Sequence, residues 1–230
     1  MIPIRDAVRS KTRPFITWLL IAANVVVFIV EIRTPGRRLM AVFQQFGVVP
    51  SRLQELSLGA GSLRLLYPFF TGMFLHGGWI HLIGNMWSLW LFGDNVEDQF
   101  GHFRFLFFYL LGGIAAYLLH AILLIDSSTP AIGASGAIAA VMGAYVFMFP
   151  RARILTIVPI FFIPLFIQIP AFIFIGLWFL SQLLSGAAAL ASRVSGTGIA
   201  WWAHIGGFLF GAVTLLLFRK RDRDLPTYYR

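Results

Sequence analysis

An all-α membrane protein with six spanning helices is the fold class this sequence predicts, and three observations predict it. Of 230 residues, 59% are hydrophobic and only 12% charged, against roughly 45 to 50% apolar usage in soluble globular chains. Six apolar stretches approach the ~20 residues that cross a hydrocarbon core about 30 Å thick. The 18 Lys and Arg, nearly all Arg, gather just outside those stretches, where cations hold helix ends against anionic headgroups. A net charge of +9 distributed in this way is a membrane pattern, so a lipid bilayer is the expected partner and no nucleic acid is expected.

The first stretch, Phe15–Ile32, follows Arg5, Arg9, Lys11 and Arg13 and has no small-x-small cleavage site after it. It reads as an uncleaved signal anchor. The next three stretches are 79–92, 103–125 and 132–149, and the last is 199–218. Between them, 154–184 is too long for one span, and Pro159, Pro164 and Pro170 each remove a backbone donor. Regular helix is therefore expected from about Pro170, in the favoured first-turn position, with 154–168 lying at the membrane interface. Gly93 suits the left-handed end of the second helix, and Asp94 with Glu97 has the spacing of a capping box for the third. No repeat, low-complexity tract or linker divides the chain. One domain over 1–230 is expected, with short basic cytoplasmic tails at 1–13 and 219–230.

Six spans put both termini on one side. If that side is the cytoplasm, inner segments carry twelve cations and outer segments six, which favours it by the positive-inside rule. The expected location is a multi-pass protein of a bacterial or archaeal plasma membrane. With no cysteine, no thiolate nucleophile or thiolate metal site exists, and covalent chemistry falls to Ser, Thr, Lys, Asp or Glu.

Polar groups inside spans are costly and so become functional suspects. His81 and Asn85 lie four apart on one face of the second span, Ser135 opens the fourth within Gly133-Ala134-Ser135-Gly136, and His204 lies on the sixth. Each alone has a structural explanation: small-residue packing around Ser135, a histidine bonded to a backbone carbonyl, or interhelical glue. Depth argues for reading them together. At 1.5 Å per residue, Ser135 lies roughly 24 Å above the inner boundary, His204 roughly 22 Å and His81 roughly 20 Å. One layer holds all three, below the outer surface yet shallow enough for a cavity to reach water.

Serine becomes a nucleophile when a base takes its proton, and His204 is the strong base at the depth of Ser135. No Asp or Glu lies at that depth, so the pair is a dyad without the third acid of a triad. The Ser135 N–H, unpaired in a first helical turn, and the side chains of Asn85 and His81 can donate to an oxyanion. His81 and His204 lack carboxylate or thiolate companions, so no metal and no cofactor is expected.

The run His76-Gly77-Gly78-Trp79-Ile80-His81-Leu82-Ile83-Gly84-Asn85-Met86, the motif Gly133-x-Ser135-Gly136 and the block Ala203-His204-x-x-Gly207-x-x-x-Gly211 together resemble the rhomboid intramembrane serine proteases. The three blocks stand in order on the second, fourth and sixth spans. The resemblance implies a six-helix rhomboid-type bundle, with a short central fourth helix, that cleaves transmembrane protein substrates near their outer ends with water as co-substrate. It implies Ser135 as nucleophile, His204 as base and His81 with Asn85 as oxyanion donors. It also implies a structural role for His76, a partly embedded outer loop over 33–75 and a mobile cap over 185–200. Two departures stand out. Some members carry a tyrosine four residues after the serine, stacked on the histidine, where this chain has Ala139; many carry a Trp-Arg pair in the first outer loop, where this chain has Leu63-Arg64.

Two other readings compete. One is a catalytically inactive rhomboid-like protein that binds and escorts membrane clients, and the other a small transporter or channel relaying protons through His81 and His204. Two packing expectations complete the picture. The fifth helix, rich in Phe and Trp, packs loosely and either borders lateral admission of substrate or faces lipid. Small residues on the fourth and sixth helices meet in register, Ala139 near Gly207 and Gly143 near Gly211, with Phe208 facing outward.

Overall fold

The computed structural model describes residues 1–54, 65–160, 163–192 and 199–219. In chain order, strand β1 (Ile2–Asp6) precedes helices α1 (Phe15–Ile32) and α2 (Gly36–Phe46), the single turn α3 (Pro68–Thr71), then α4 (Trp79–Phe100), α5 (His102–Leu123) and α6 (Ser135–Met148). Strands β2 (Arg153–Ile160) and β3 (Ile163–Pro170) follow, then α7 (Ala171–Ser192) and α8 (Trp201–Phe218). By length and composition α1, α5, α7 and α8 can each cross a membrane, and α6 is a shorter apolar helix. With α4 these are the six helices expected of the bundle.

Helix α6 is the centre. It is apolar on every side, and each residue from 136 to 145 is buried, which a helix tolerates only when neighbours cover its whole circumference. Its partners α4, α5 and α8 do so. The approach of α8 is backbone to backbone. A methyl group on Gly207 would overlap the Gly136 carbonyl oxygen, one on Gly211 the Ala140 carbonyl oxygen, and one on Gly143 the Phe208 carbonyl oxygen. The small faces therefore do meet, and Ala139 Cβ lies 3.3 Å from where a Gly207 Cβ would stand. Gly143 does not pair with Gly211, however. Each glycine takes up a carbonyl of the opposite helix, so the faces interlock by an offset. Phe208 does not face outward either: it is buried and stacks on Phe179 of α7 at 4.1 Å, because α7 covers that side of α8.

The expected turn at 93–97 is absent. Helix α4 runs through it to Phe100, and the chain reverses at Gly101, whose φ of 81° suits a residue without a Cβ. Glu97 caps a helix, but not the one that follows. Its carboxylate accepts from the N–H groups of Ile16 (2.9 Å) and Thr17 (2.8 Å) and from Thr17 Oγ1 (2.7 Å), so it caps the opening turn of α1 across the bundle. Asp98 beside it accepts from the Thr12 N–H (3.0 Å) and hydroxyl (2.6 Å). The first-turn donors of α1, which begins at Pro14-Phe15 with no cap of its own, are thus met by a neighbour.

The segment expected to lie at the interface is a β-hairpin. β2 and β3 pair antiparallel from Arg153–Pro170 to Ile160–Ile163, and β1 pairs with β2 through Ile2–Ile157 and Asp6–Ile154, giving a sheet ordered β1-β2-β3. The first residues of the expected basic tail are therefore structured. Asp6 accepts from Tyr145 Oη (2.5 Å) and Asn95 Nδ2 (2.8 Å), and the Trp87 indole donates to the Pro3 carbonyl (2.6 Å). Burial raises the Asp6 carboxyl to about 6 although the Tyr145 bond opposes the rise.

Two stability tests follow from this packing. Gly207→Leu should lower the thermal unfolding temperature in micelles by the equivalent of about 3 kcal/mol or more, as overpacking against a backbone does. Val213→Leu on the lipid-facing side of α8, 78% exposed, should leave it unchanged. Glu97→Ala should cost about 2 kcal/mol in the same measurement, since it strips a charged acceptor from buried N–H groups.

Candidate active site

Ser135 opens α6 and His204 lies in the first turns of α8, so the α6–α8 contact below them sets their separation. His204 Nε2 stands 2.8 Å from Ser135 Oγ. His81 and Asn85 from α4, Ser135 and His204 all line one cavity of about 810 Å³, together with Trp178 and Gln182 of α7. The structure therefore brings together every side chain expected at the site.

Hydrogen-bond polarity sets what each can do. The Gly77 N–H donates to His81 Nδ1 (3.3 Å), which makes that nitrogen the acceptor and leaves the proton of a neutral ring on Nε2. His76 Nδ1 faces the Phe74 carbonyl (3.3 Å), which only accepts, so His76 Nε2 is bare and accepts a hydrogen bond from Asn85 Nδ2 (3.0 Å). The second hydrogen on Asn85 Nδ2 remains for another acceptor. His76 is buried and its own N–H is held by the Glu31 carboxylate at 3.2 Å to both oxygens. These bonds give His76 the structural part that the motif implied.

Gly133 ties the donors to the serine. Its φ of +117° is strained for any other residue, and a methyl there would sit 2.6 Å from His81 Nε2 and 3.5 Å from Asn85 Nδ2. Its carbonyl accepts from Tyr117 Oη (2.9 Å) and its N–H donates to the Gly72 carbonyl (2.8 Å). Just before it, Ala131 forms a two-way bridge with Val48. The α1–α4 connection thus clamps the turn into α6; Leu63-Arg64 lies outside the described residues. Of the segment 185–200 expected as a cap, 185–192 form the end of α7; residues 193–198 lie outside the described residues, and Ile199 and Ala200 line the cavity.

In place of the absent tyrosine, His204 has three neighbours that the sequence reading passed over. The Trp178 ring lies 6.0 Å from it at a shallow angle, the Trp201 ring 6.2 Å away edge-on, and Gln182 Oε1 2.7 Å from its Nδ1. The signal for Gln182 was an amide within an otherwise apolar span, the same signal that exposed Asn85.

Comparison with known proteins bears on this arrangement. The Rhomboid domain family model matches residues 64–221, more than half of the chain. The chain belongs to the rhomboid family. This rhomboid is 30% identical over 171 residues to RHOMBOID-like protein 12, mitochondrial, of Arabidopsis thaliana, covering 67% of the chain and 47% of that protein. It is 32% identical over 146 residues to Rhomboid protein 1, mitochondrial, of Saccharomyces cerevisiae, covering 61% and 38%. To Rhomboid-like protease 5 of Toxoplasma gondii it is 32% identical over 154 residues, covering 63% and 16%. The chain spans less than half the length of each. Two of the three are mitochondrial by name, so they lend nothing to the bacterial or archaeal plasma membrane that the sequence suggested.

Because a methyl at Gly133 would overlap His81 Nε2 and sit at a strained φ, Gly133→Ala should cut labelling of Ser135 by a small fluorophosphonate by about a hundredfold while helix content stays intact, a displacement near 1 Å being enough for such a loss. Labelling at the wild-type rate would show that the close approach does not matter.

Proposed function

We propose that this rhomboid is an intramembrane serine endopeptidase that cleaves transmembrane proteins near their outer ends. The observation that carries the reading is the 2.8 Å contact between Ser135 Oγ and His204 Nε2 in a cavity that also holds two oriented N–H donors. Ser135 Oγ attacks the carbonyl carbon of the scissile peptide as its proton passes to His204 Nε2. The carbonyl oxygen becomes an oxyanion and takes hydrogen bonds from Asn85 Nδ2, His81 Nε2 and the Ser135 N–H, which stands at the positive end of α6. Collapse breaks the C–N bond, and His204 returns the proton to the leaving amine. Water then attacks the acyl-serine with His204 again as base, releasing the new carboxyl terminus and restoring Ser135.

Helix α7 supports a path for the substrate. Of the four helices long and apolar enough to span, it is the least covered, with 22% of its apolar window buried against 39% for α8. That is the loose packing expected of a helix beside a lateral opening. Both termini sit on the cytoplasmic side in this reading, where the twelve cations lie.

Purified protein in detergent, mixed with single-span test substrates, tests the proposal. Wild type should cleave, and Ser135→Ala and His204→Ala should each lose more than 99% of the rate while still folding, because nucleophile and base act as one unit. Either variant keeping more than about a tenth of the rate, a loss under about 1.4 kcal/mol, would remove the dyad. Binding of clients by wild type and Ser135→Ala alike, without cleavage by either, would establish the escort reading instead.

A further inference from the structure

We propose that Gln182 of α7 is a positioning residue that holds His204 in the tautomer able to deprotonate Ser135, so that the dyad is armed only while α7 rests against α8. The inference depends on the reading of Ser135 and His204 as nucleophile and base.

The argument starts from a backbone carbonyl. Ser181 Oγ lies 2.6 Å from the Trp178 carbonyl oxygen, which can only accept, so the hydroxyl spends its single hydrogen there. Gln182 Nε2 lies 3.1 Å from that same carbonyl and 2.9 Å from Ser181 Oγ. Both neighbours therefore require a donor, and the amide nitrogen must face them. This fixes the amide's orientation and turns Oε1 toward His204 Nδ1 at 2.7 Å. Oε1 only accepts, so Nδ1 carries the ring proton. A neutral imidazole has one such proton, which leaves Nε2 bare opposite Ser135 Oγ. Every proton from the Trp178 carbonyl to the serine is thereby assigned a direction.

Position adds a second consequence. Gln182 is 5% exposed although α7 is largely uncovered, so the amide is buried where its helix meets α8. It comes from a different helix than either member of the pair. When Ser135 loses its proton and His204 becomes an imidazolium, the Nδ1–H bond to Oε1 holds the ring and stabilises its charge without placing a buried carboxylate in the site. An outward displacement of α7 that carried Gln182 away would free the ring to rotate or exchange tautomers. Lateral opening and proton abstraction are then mutually exclusive states of one helix.

The test uses the full chain in micelles with a single-span substrate, comparing wild type, Gln182→Leu and Gln182→Glu. Gln182→Leu should lower kcat about 10- to 100-fold with KM within about twofold, since no substrate contact is lost. Gln182→Glu keeps an acceptor at Nδ1, with the Ser181 hydroxyl free to turn toward the new oxygen. It should retain cleavage and move the acid limb of kcat/KM upward by about one pH unit, because a neighbouring carboxylate favours the imidazolium. ¹⁵N spectra of the imidazole rings, with His204 assigned by its loss in His204→Ala, should show the Nδ1–H tautomer in wild type and a mixture in Gln182→Leu. Unchanged kcat and unchanged ring shifts in Gln182→Leu would overturn the proposal. So would equal impairment of both variants, in step with lost thermal stability and without movement of the acid limb, which is what a purely structural contact predicts. A wild type that cleaves nothing, yet whose His204 tautomer depends on Gln182, would overturn the protease reading and leave the positioning of His204 standing.

Discussion

Two backbones in contact underlie the rest of this structure. Helices α6 and α8 approach until carbonyl oxygens of each fill the space where glycines of the other have no side chain, at Gly207, Gly211 and Gly143. In hydrocarbon no hydrophobic gain drives helices together, so close van der Waals packing of small residues is the main attraction available. Its reach matters as much as its strength. Ser135 and His204 stand near the N-terminal ends of these two helices, and because the contact is rigid backbone rather than flexible side chain, their separation is set by geometry that thermal motion of rotamers cannot loosen.

Above that contact, polarity does what sterics cannot. Distances alone would allow His204, His81 and Asn85 to sit correctly and still be useless, with protons on the wrong atoms. Two chains of hydrogen bonds prevent this, and each starts from a carbonyl that can only accept. One begins at Trp178 and runs through Gln182 to His204; the other begins at Phe74 and runs through His76 to Asn85. The first leaves a bare nitrogen facing the serine, and the second leaves an N–H directed away from His76. Base and donor differ because the carbonyl is reached through a different sequence of groups in each case.

The spanning helices, and the four polar side chains that line one cavity, were legible in the sequence because lipid permits few disguises. A polar group in a span stands out, and motif blocks on three helices reported one layer. What escaped notice escaped for local reasons. The hairpin at Arg153–Ile160 and Ile163–Pro170 reads as one apolar run with prolines. Its β-branched Ile154, Thr156, Ile157 and Val158 were the available sign of strand, but a search by span length is blind to period. Gly93 looked like a helix end because a glycine followed by acids usually is one. Here its missing Cβ makes room for Thr17, whose Oγ1 would lie 3.0 Å from a methyl there, and Glu97 beyond it serves α1. Phe208 reads as lipid-facing when α8 is set against α6 alone, and the cover supplied by α7 is a tertiary fact that no single-helix pattern carries.

The absence of a third acid also has a physical reason. Buried carboxylates do occur in this chain, but they lie where backbone N–H groups surround them: Glu31 beneath His76, and Glu97 and Asp98 at the start of α1. Among the described residues, none that lines the cavity is an Asp or Glu. Taking a carboxylate out of water costs several kcal/mol unless a full set of donors replaces its hydration. An ionised acid facing His204 Nδ1 would find few donors there, the ring N–H and the Ser181 hydroxyl, and so would carry a large part of that cost. A neutral amide removes that penalty while keeping one well-directed acceptor. For the proposed dyad the consequence is a base of lower driving force than a triad histidine, compensated by rigid placement and by the proposed oxyanion donors, which need no reorganisation when the charge develops. The proposed protease would thus favour orientation over charge at its base, with an amide on a neighbouring helix as the side chain that supplies it.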